Sequence, residues 1–341
     1  MAFRAREIVL PAVGRDLQVA ESEVPEPEGD QVVIRQSVSG ICFRDILTRD
    51  GFMPRVRTPG VIGHEISGTV VAAGPCAEYV KEGDRVASLI YRPCGRCEFC
   101  LTGRENLCPN KEVYGETLRG GYSDLAIVSE KSLVKVPGHI GEDEAAIAAC
   151  VTGMVYHALK VVGNVQDGSR VLITGAGGGV GIHAVQVAKR LGATVIAETT
   201  SQSKVEAIHR AGADHVVVTT GRFDGEVKKL TDGGVDVALE AVGIATFESS
   251  LRSLRTGGTV VVVGNVQPEP VGLPLGLIIL KGNRVEGSIS STRKDMMDVF
   301  ELSRGGRIRA VVDRHIEPGE INRAYEDIRA RKNTGRVLIK F

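Results

Sequence analysis

The sequence predicts an α/β protein, a doubly wound parallel sheet joined to a second, β-rich region. Three observations carry this. Up to about residue 145 the chain reads as short Val- and Ile-rich runs separated by Gly, Pro, Asp and Glu. From about residue 150, strand-like and helix-like segments alternate, the rhythm of a parallel sheet covered on both faces. At 341 residues, with 43% hydrophobic side chains, the chain is long enough to build two cores.

In the first half the strand candidates are "REIVLP", "LQVAE", "QVVIRQSV", "SGTVVAAG", "DRVASLI", "YSDLAIV" and "LVKVP". In the second, "SRVLIT" reads as a buried strand, and "VGIHAVQVAKRLG" has apolar residues at helical spacing with Gly192 placed to stop the helix. "TVIAE", "DHVVVTT", "VDVALEAVG" and "GTVVVVGN" continue the cycle. The tail, from about residue 285, offers a strand-like "RVEGSIS", a helix around "KDMMDVFELS" and a final "GRVLIKF". No internal repeat or low-complexity linker interrupts the chain.

Bulk composition narrows the function. Lys+Arg and Asp+Glu both number 42, so the formal net charge is zero and nothing favours a nucleic-acid or anionic-membrane partner. No apolar run approaches the roughly 20 residues of a membrane helix, and the N-terminus lacks the apolar core of a secretory signal. The expectation is a cytoplasmic protein acting on a small molecule. In a reducing compartment its seven cysteines do not read as a disulfide framework.

The window "VLITGAGGGVGIHAVQVAKRLGATVIAETTSQSK" runs from strand through glycines into helix and on to the next strand. Glycines let backbone approach a pyrophosphate seated at a helix N-terminus, so this is a dinucleotide site, with Gly178, Gly179 and Val180 in its loop. Ala176 stands where the usual pattern begins with glycine. The end of the following strand selects the cofactor, because a carboxylate there holds a ribose 2'-hydroxyl and repels a 2'-phosphate. Thr199, Thr200 and Ser201, with Lys204 one turn further, suit the phosphate and hence NADP(H). NAD remains the alternative if Glu198 points into the cleft.

"PCGRCEFCLTGRENLC" sets Cys94, Cys97, Cys100 and Cys108 at C-x2-C-x2-C-x7-C. Four thiolates in one loop can close a tetrahedral shell around Zn2+, a structural site. An iron–sulfur cluster, redox thiols or a nucleic-acid-binding zinc module are the competing uses, the last disfavoured because no basic patch surrounds the loop. A second set is dispersed: Cys42 in "SGICFRD", His64 and Glu65 in "GVIGHEISG", and Cys150 in "AACVTGMVY". One His and two Cys can hold Zn2+ with a fourth position open for water or substrate. The set is expected at the junction of the two halves.

"GICFRD", "GHEISGTVVAAGPCA", the cysteine quartet, the glycine loop and "GRVLIKF" together resemble the zinc-dependent alcohol dehydrogenase branch of the medium-chain dehydrogenase/reductases, over essentially the whole chain. The resemblance implies a GroES-like β-rich catalytic domain, residues 1–148 and 286–341, around a Rossmann domain, residues 149–285. It implies a catalytic zinc on Cys42, His64 and Cys150, with Glu65 beside it as an alternate ligand or support. Asp45 is expected to orient His64, Arg336 to lie near the cofactor pyrophosphate, and Val263, Gly264 and Asn265 to run along the nicotinamide. A homo-oligomer, dimer or tetramer, is implied as well.

Arg44 breaks the pattern. Ser or Thr usually stands there to take the alcohol proton, and a guanidinium cannot act as a base at neutral pH. Leu47 replaces a relay histidine found in some members, and Phe43 a position that can be basic. Arg44 is expected either to pair with an acid such as Asp45 or to meet substrate or cofactor. "CFRD", "CVTGMVY" and "GVGIHAVQVAK" are also similar to archaeal acryloyl-CoA reductases, which deliver hydride to an activated alkene. Carbonyl chemistry, conjugate reduction, and an NADPH-binding protein with little turnover are therefore the readings carried forward.

Overall fold

Val32, Val33 and Ile34 are buried along strand Gln31–Arg35, an inner strand of a five-stranded antiparallel sheet. The computed structural model describes residues 3–341. In that sheet the order is Leu125–Ser129, Gln31–Arg35, Ser67–Ala73, Arg85–Ser88, Leu133–Lys135. The runs read as strands from their Val and Ile content pack one face into a core of Val32, Ile34, Ile66, Val70, Val86 and Val128. The same unit holds three smaller sheets, and one of them matters for the site. Its strand Arg336–Lys340 pairs antiparallel with Val38–Gly40, and Ile41 N–H continues the ladder to Val337 O at 3.0 Å. The C-terminal strand thereby sets the backbone that leads directly into Cys42.

The second unit is a six-stranded sheet with every pair parallel. Its order is His215–Val218, Thr194–Thr199, Arg170–Ile173, Val235–Glu240, Leu254–Val262, Arg284–Gly287. In chain order this is 3-2-1-4-5-6, the doubly wound Rossmann arrangement, whose ligand crevice opens at the carboxyl ends beside strands one and four. Helix Gly181–Arg190 buries Ile182, Val185 and Val187, and Gly192, at φ +83°, follows its end.

The chain divides at Gly153/Met154 and Ile289/Ser290, and not at 148/149 and 285/286. The strand in "RVEGSIS" is an edge strand of the parallel sheet, Val285 opposite Val260. It follows helix Leu275–Lys281 as the last β-α-β crossover, which a parallel pairing requires. Residues Gly305–Val311 also belong to the second unit, although the closing segment from 286 was expected to serve the first throughout. Two buried polar side chains account for this. Gln186 exchanges hydrogen bonds with the Arg309 backbone (3.0 and 2.9 Å), and His183 Nε2 accepts the Val311 N–H at 2.9 Å. Among the described residues, no helix is long and apolar enough to cross a membrane.

Candidate metal and cofactor sites

Cys42 precedes helix Phe43–Arg49 in extended backbone, φ −98° and ψ 146°. Its N–H donates to Asp45 Oδ2 at 2.9 Å, fixing the first turn. His64 follows Gly63, whose φ of +85° and lack of a side chain are both needed, because a Cβ there would lie 2.6 Å from Cε1 of Tyr122. Cys150 sits in a widened helical turn, Ala148–Gly153, in which Thr152 N–H reaches back five residues to Ile147 O. Such turns aim a side chain away from the regular helical spacing.

These segments bring Cys42, His64, Glu65 and Cys150 together, one donor atom from each within 4.8 Å of the others. All four lie in the first unit. His64 Nε2 is 3.2 Å from Cys150 Sγ, which is 3.8 Å from Cys42 Sγ. Two thiolates on one tetrahedral zinc stand about 3.8 Å apart, given Zn–S bonds near 2.3 Å. Asp45 Oδ1 lies 3.0 Å from His64 Nδ1, so Nε2 is the nitrogen free to face the thiols. Burial opposes the His64 imidazolium, but Asp45 and then Cys42 outweigh it and push the pKa up to about 9. Cys150, then His64, hold the Cys42 thiol well below its ordinary range despite burial, and Cys150 is pushed well above it by Cys42 and by burial. A divalent cation bound there would displace the protons of these groups.

Glu65 is fully buried, and Arg336 supplies its ion pair. Glu65 Oε2 has no hydrogen-bond partner, an orphaned oxygen in a cluster of metal donors. It lies where a Cβ on Gly40 would fall, so only glycine leaves it room. The partner of Arg336, a residue expected near the cofactor pyrophosphate, is therefore an acid in the donor cluster. Arg44 does not pair with Asp45, whose oxygens are taken by Cys42, His64 and Tyr122. It pairs with Glu116, and Arg55 approaches the other oxygen of that carboxylate at 3.4 Å. Phe43 packs against the apolar core and carries no polar role.

The four thiols of Cys94, Cys97, Cys100 and Cys108 likewise lie within 4.8 Å of one another, with Cys97–Cys100 and Cys94–Cys100 at 3.5 and 3.9 Å. Backbone N–H groups, that of Arg96 foremost, bring Cys94 down to about 6, while burial takes Cys100 up to about 12. A closed sulfur shell suits Zn2+ and leaves no coordination position for a substrate.

In the second unit, strand Arg170–Ile173 runs into Gly175, at φ +58°. Gly181 starts the helix so close to this turn that a Cβ would lie 2.6 Å from Cα of Ala176. His183 Nδ1–H donates to Gly179 O at 2.7 Å, holding the loop that contains Gly178, Gly179 and Val180. Glu198 is buried under the loop, where its Oε2 accepts Gly175 N–H at 3.0 Å. Lys204 lays its stem across the loop, its Cδ 2.5 Å from where a Gly177 Cβ would be. Thr199 is buried and its hydroxyl accepts Ser201 N–H at 3.3 Å, whereas Thr200 is exposed and Ser201 half-buried. Val263, Gly264 and Asn265 face the turn after strand Val235–Glu240. Val263 N–H donates to Glu240 O at 2.9 Å, and a Cβ on Gly264 would meet Ala241 O at 2.6 Å.

The sequence reading missed Glu116, Tyr122 and Glu240. Glu240 Oε1 accepts Val242 N–H, Gly243 N–H and the Thr246 hydroxyl at 2.9, 2.9 and 2.6 Å, and Oε2 accepts Ser250 Oγ–H at 2.6 Å. An acid ending an apolar strand was the available signal for Glu240. Glu116 and Tyr122 had none, because their partners are remote in sequence.

Comparison with known proteins agrees with this architecture. Residues 28–138 match the alcohol dehydrogenase GroES-like domain and residues 179–304 the zinc-binding dehydrogenase domain. An acryloyl-coenzyme A reductase of Sulfurisphaera tokodaii is 40% identical over 336 residues, 98% of this chain and 99% of the relative. An alcohol dehydrogenase of Geobacillus stearothermophilus is 34% identical over 330 residues, 96% of each chain. The crystal structure of AibC superposes with a TM-score of 0.92 at 37% identity, covering 99% of this chain and 96% of that one. The chain belongs to the zinc-type medium-chain dehydrogenase/reductases and is an oxidoreductase of that family.

Proposed function

We propose that the protein is a zinc-dependent, NADP(H)-linked oxidoreductase that transfers hydride between nicotinamide and a metal-polarised carbonyl. The observation that carries this is the convergence of Cys42, His64, Glu65 and Cys150 donors within 4.8 Å, beside an Asp45 that fixes the imidazole. Cys42, His64 and Cys150 would hold the catalytic ion, and Cys94, Cys97, Cys100 and Cys108 a structural one. Bound there, Zn2+ supplies a Lewis acid for the substrate oxygen. Asp45 keeps Nε2 of His64 toward the metal position, and Arg336 holds one oxygen of Glu65 so that the other remains directed into the cluster. Arg44 stabilises negative charge and cannot exchange a proton with an alcohol, so this reading favours activated carbonyl or enoyl substrates over simple alcohols.

NADP(H) is the preferred cofactor in this reading. Glu198 spends its carboxylate on the glycine loop, while Lys204, Thr200 and Ser201 lie at the strand end where a 2'-phosphate would sit. Conjugate reduction of an enoyl thioester is the second reading, favoured by the 40% identity to an acryloyl-coenzyme A reductase and by Arg44 in place of a relay hydroxyl. The enzyme would act in the cytoplasm, where thiol ligands stay reduced, on a small molecule and without nucleic acid or membrane. A homo-oligomer, dimer or tetramer, is supported by helix Leu275–Lys281, on which Ile279 and Leu280 are 76% and 86% exposed next to an edge strand.

The deciding experiment combines metal analysis with NADPH oxidation over a panel of ketones, aldehydes and enoyl-CoA thioesters. Zinc with carbonyl turnover supports the first reading. Turnover of enoyl thioesters alone selects the second, and no turnover of any member sinks both.

A further inference from the structure

Arg44 and Arg55 converge on one carboxylate. Glu116 is 6% exposed, with Arg44 on Oε1 and Arg55 3.4 Å from Oε2, whereas Arg55 itself is 56% exposed. Two cations thus share one acid. Each guanidinium has five donors, and the Arg44 and Arg55 side chains each direct one hydrogen bond to Glu116. Donors therefore remain on both for a further oxyanion.

The group lies against the donor cluster. Arg44 follows Cys42 by two residues, and its charge acts on the Cys150 thiol. The turn bearing Glu116 packs on the loop that leads to His64, since a Cβ on Gly115 would fall 2.7 Å from Gly63 O. Glu116 offsets one of the two positive charges, and a bound anion would offset the other.

We propose that Arg44 and Arg55 form an anion subsite beside the Cys42–His64–Cys150 cluster, taking a carboxylate or phosphate carried by the substrate, with Glu116 gathering the two arginines. The proposal rests on the oxidoreductase reading above and specifies its substrate class as anionic carbonyl or enoyl compounds.

Two matched pairs test it: succinic semialdehyde against butanal, and butenoyl-CoA against butenoyl-pantetheine, which lacks the phosphates. The expected result is a charged member favoured at least tenfold in kcat/KM by the wild type, with that ratio falling at least fivefold in Arg55→Ala. The pair that shows the effect identifies carboxylate or phosphate. Turnover without charge preference, or a preference unmoved by the substitution, overturns the proposal and leaves a structural ion cluster. Should neither pair be turned over, the oxidoreductase reading fails separately, and calorimetric titration with inorganic diphosphate decides the subsite. Binding weakened in Arg55→Ala relative to wild type supports it, and identical isotherms overturn it.

Discussion

Tyr122 donates its phenolic hydrogen to Asp45 Oδ2 at 2.7 Å, while the other oxygen of that carboxylate lies 3.0 Å from Nδ1 of His64. The ring of Tyr122 also fills the space that Gly63 leaves open one residue before His64. One buried side chain therefore holds both the loop carrying a metal donor and the acid that orients it. Groups that support a ligating histidine in this way alter metal affinity about 10–100-fold. Tyr122→Phe keeps the ring and removes the hydrogen bond. We expect its open-site metal to transfer to a chromophoric chelator about tenfold faster than in wild type, with the four-thiolate site unaffected. Equal release rates would mean that Asp45 orients His64 unaided.

Metal content is the most direct prediction. Close to two zinc ions per chain are expected in freshly purified protein, from the two donor clusters. His64→Ala should retain about one, and the ion it loses should be the one that chelator strips first from wild type, because its shell is open. No more than traces of zinc in the fresh wild type would refute both assignments.

NADPH should bind at least tenfold more tightly than NADH. A charge-assisted contact is worth roughly 1.5–3 kcal/mol, and 1.4 kcal/mol is a factor of ten. Lys204→Ala should narrow the gap, measured by quenching or enhancement of nicotinamide fluorescence. Equal affinities in the wild type would assign the selection to Glu198 or to the loop backbone.

Arg44 predicts which substrates are turned over well. General base assistance contributes about 10²–10⁴ in rate, and a guanidinium provides none. Ethanol oxidation should therefore run about a hundredfold below reduction of an activated carbonyl or enoyl substrate in kcat/KM. Arg44→Ser should improve alcohol oxidation only modestly, since Leu47 provides no second relay group. Brisk ethanol oxidation, unchanged in Arg44→Ser, would show that Arg44 serves only its ion pair with Glu116.

Glu240 separates hydrogen bonding from charge in the core of the cofactor-binding unit. Its carboxylate accepts from two backbone N–H groups and three hydroxyls, those of Thr174, Thr246 and Ser250, in a fully buried setting. Glu240→Gln keeps an acceptor for the backbone pair, and the Ser250 hydroxyl can turn to accept from the new amide. Its cost should be about 1 kcal/mol, against about 3 kcal/mol or more for Glu240→Leu, which strands both N–H groups. Urea unfolding of the two variants gives the comparison, and equal costs would mean that the charge itself is what the turn requires.

Local pattern was enough for much of this protein. The parallel sheet was legible because buried strands are continuous apolar runs and the glycine loop needs its strand and helix within one short window. The quartet Cys94, Cys97, Cys100 and Cys108 was legible for the same reason, since all four donors lie in a single loop. Cys42, His64 and Cys150 were grouped from their ligand chemistry and then from family resemblance, and their convergence depends on the strand Arg336–Lys340, the Gly63 turn and the widened helix at Ala148–Gly153.

Tertiary structure alone decided the partners of the charged groups. Arg44 could have paired with the adjacent Asp45, but His64, Tyr122 and the Cys42 N–H occupy that carboxylate, so the arginine reaches 72 positions along the chain to Glu116. Arg336 finds Glu65 in the same way, 271 positions away. The domain limits moved for a related reason, because Gln186 and His183 are buried on a helix and draw Gly305–Val311 back to satisfy them. Apolar periodicity is written into neighbouring residues, whereas a buried polar group takes whichever partner the completed fold brings within hydrogen-bonding distance.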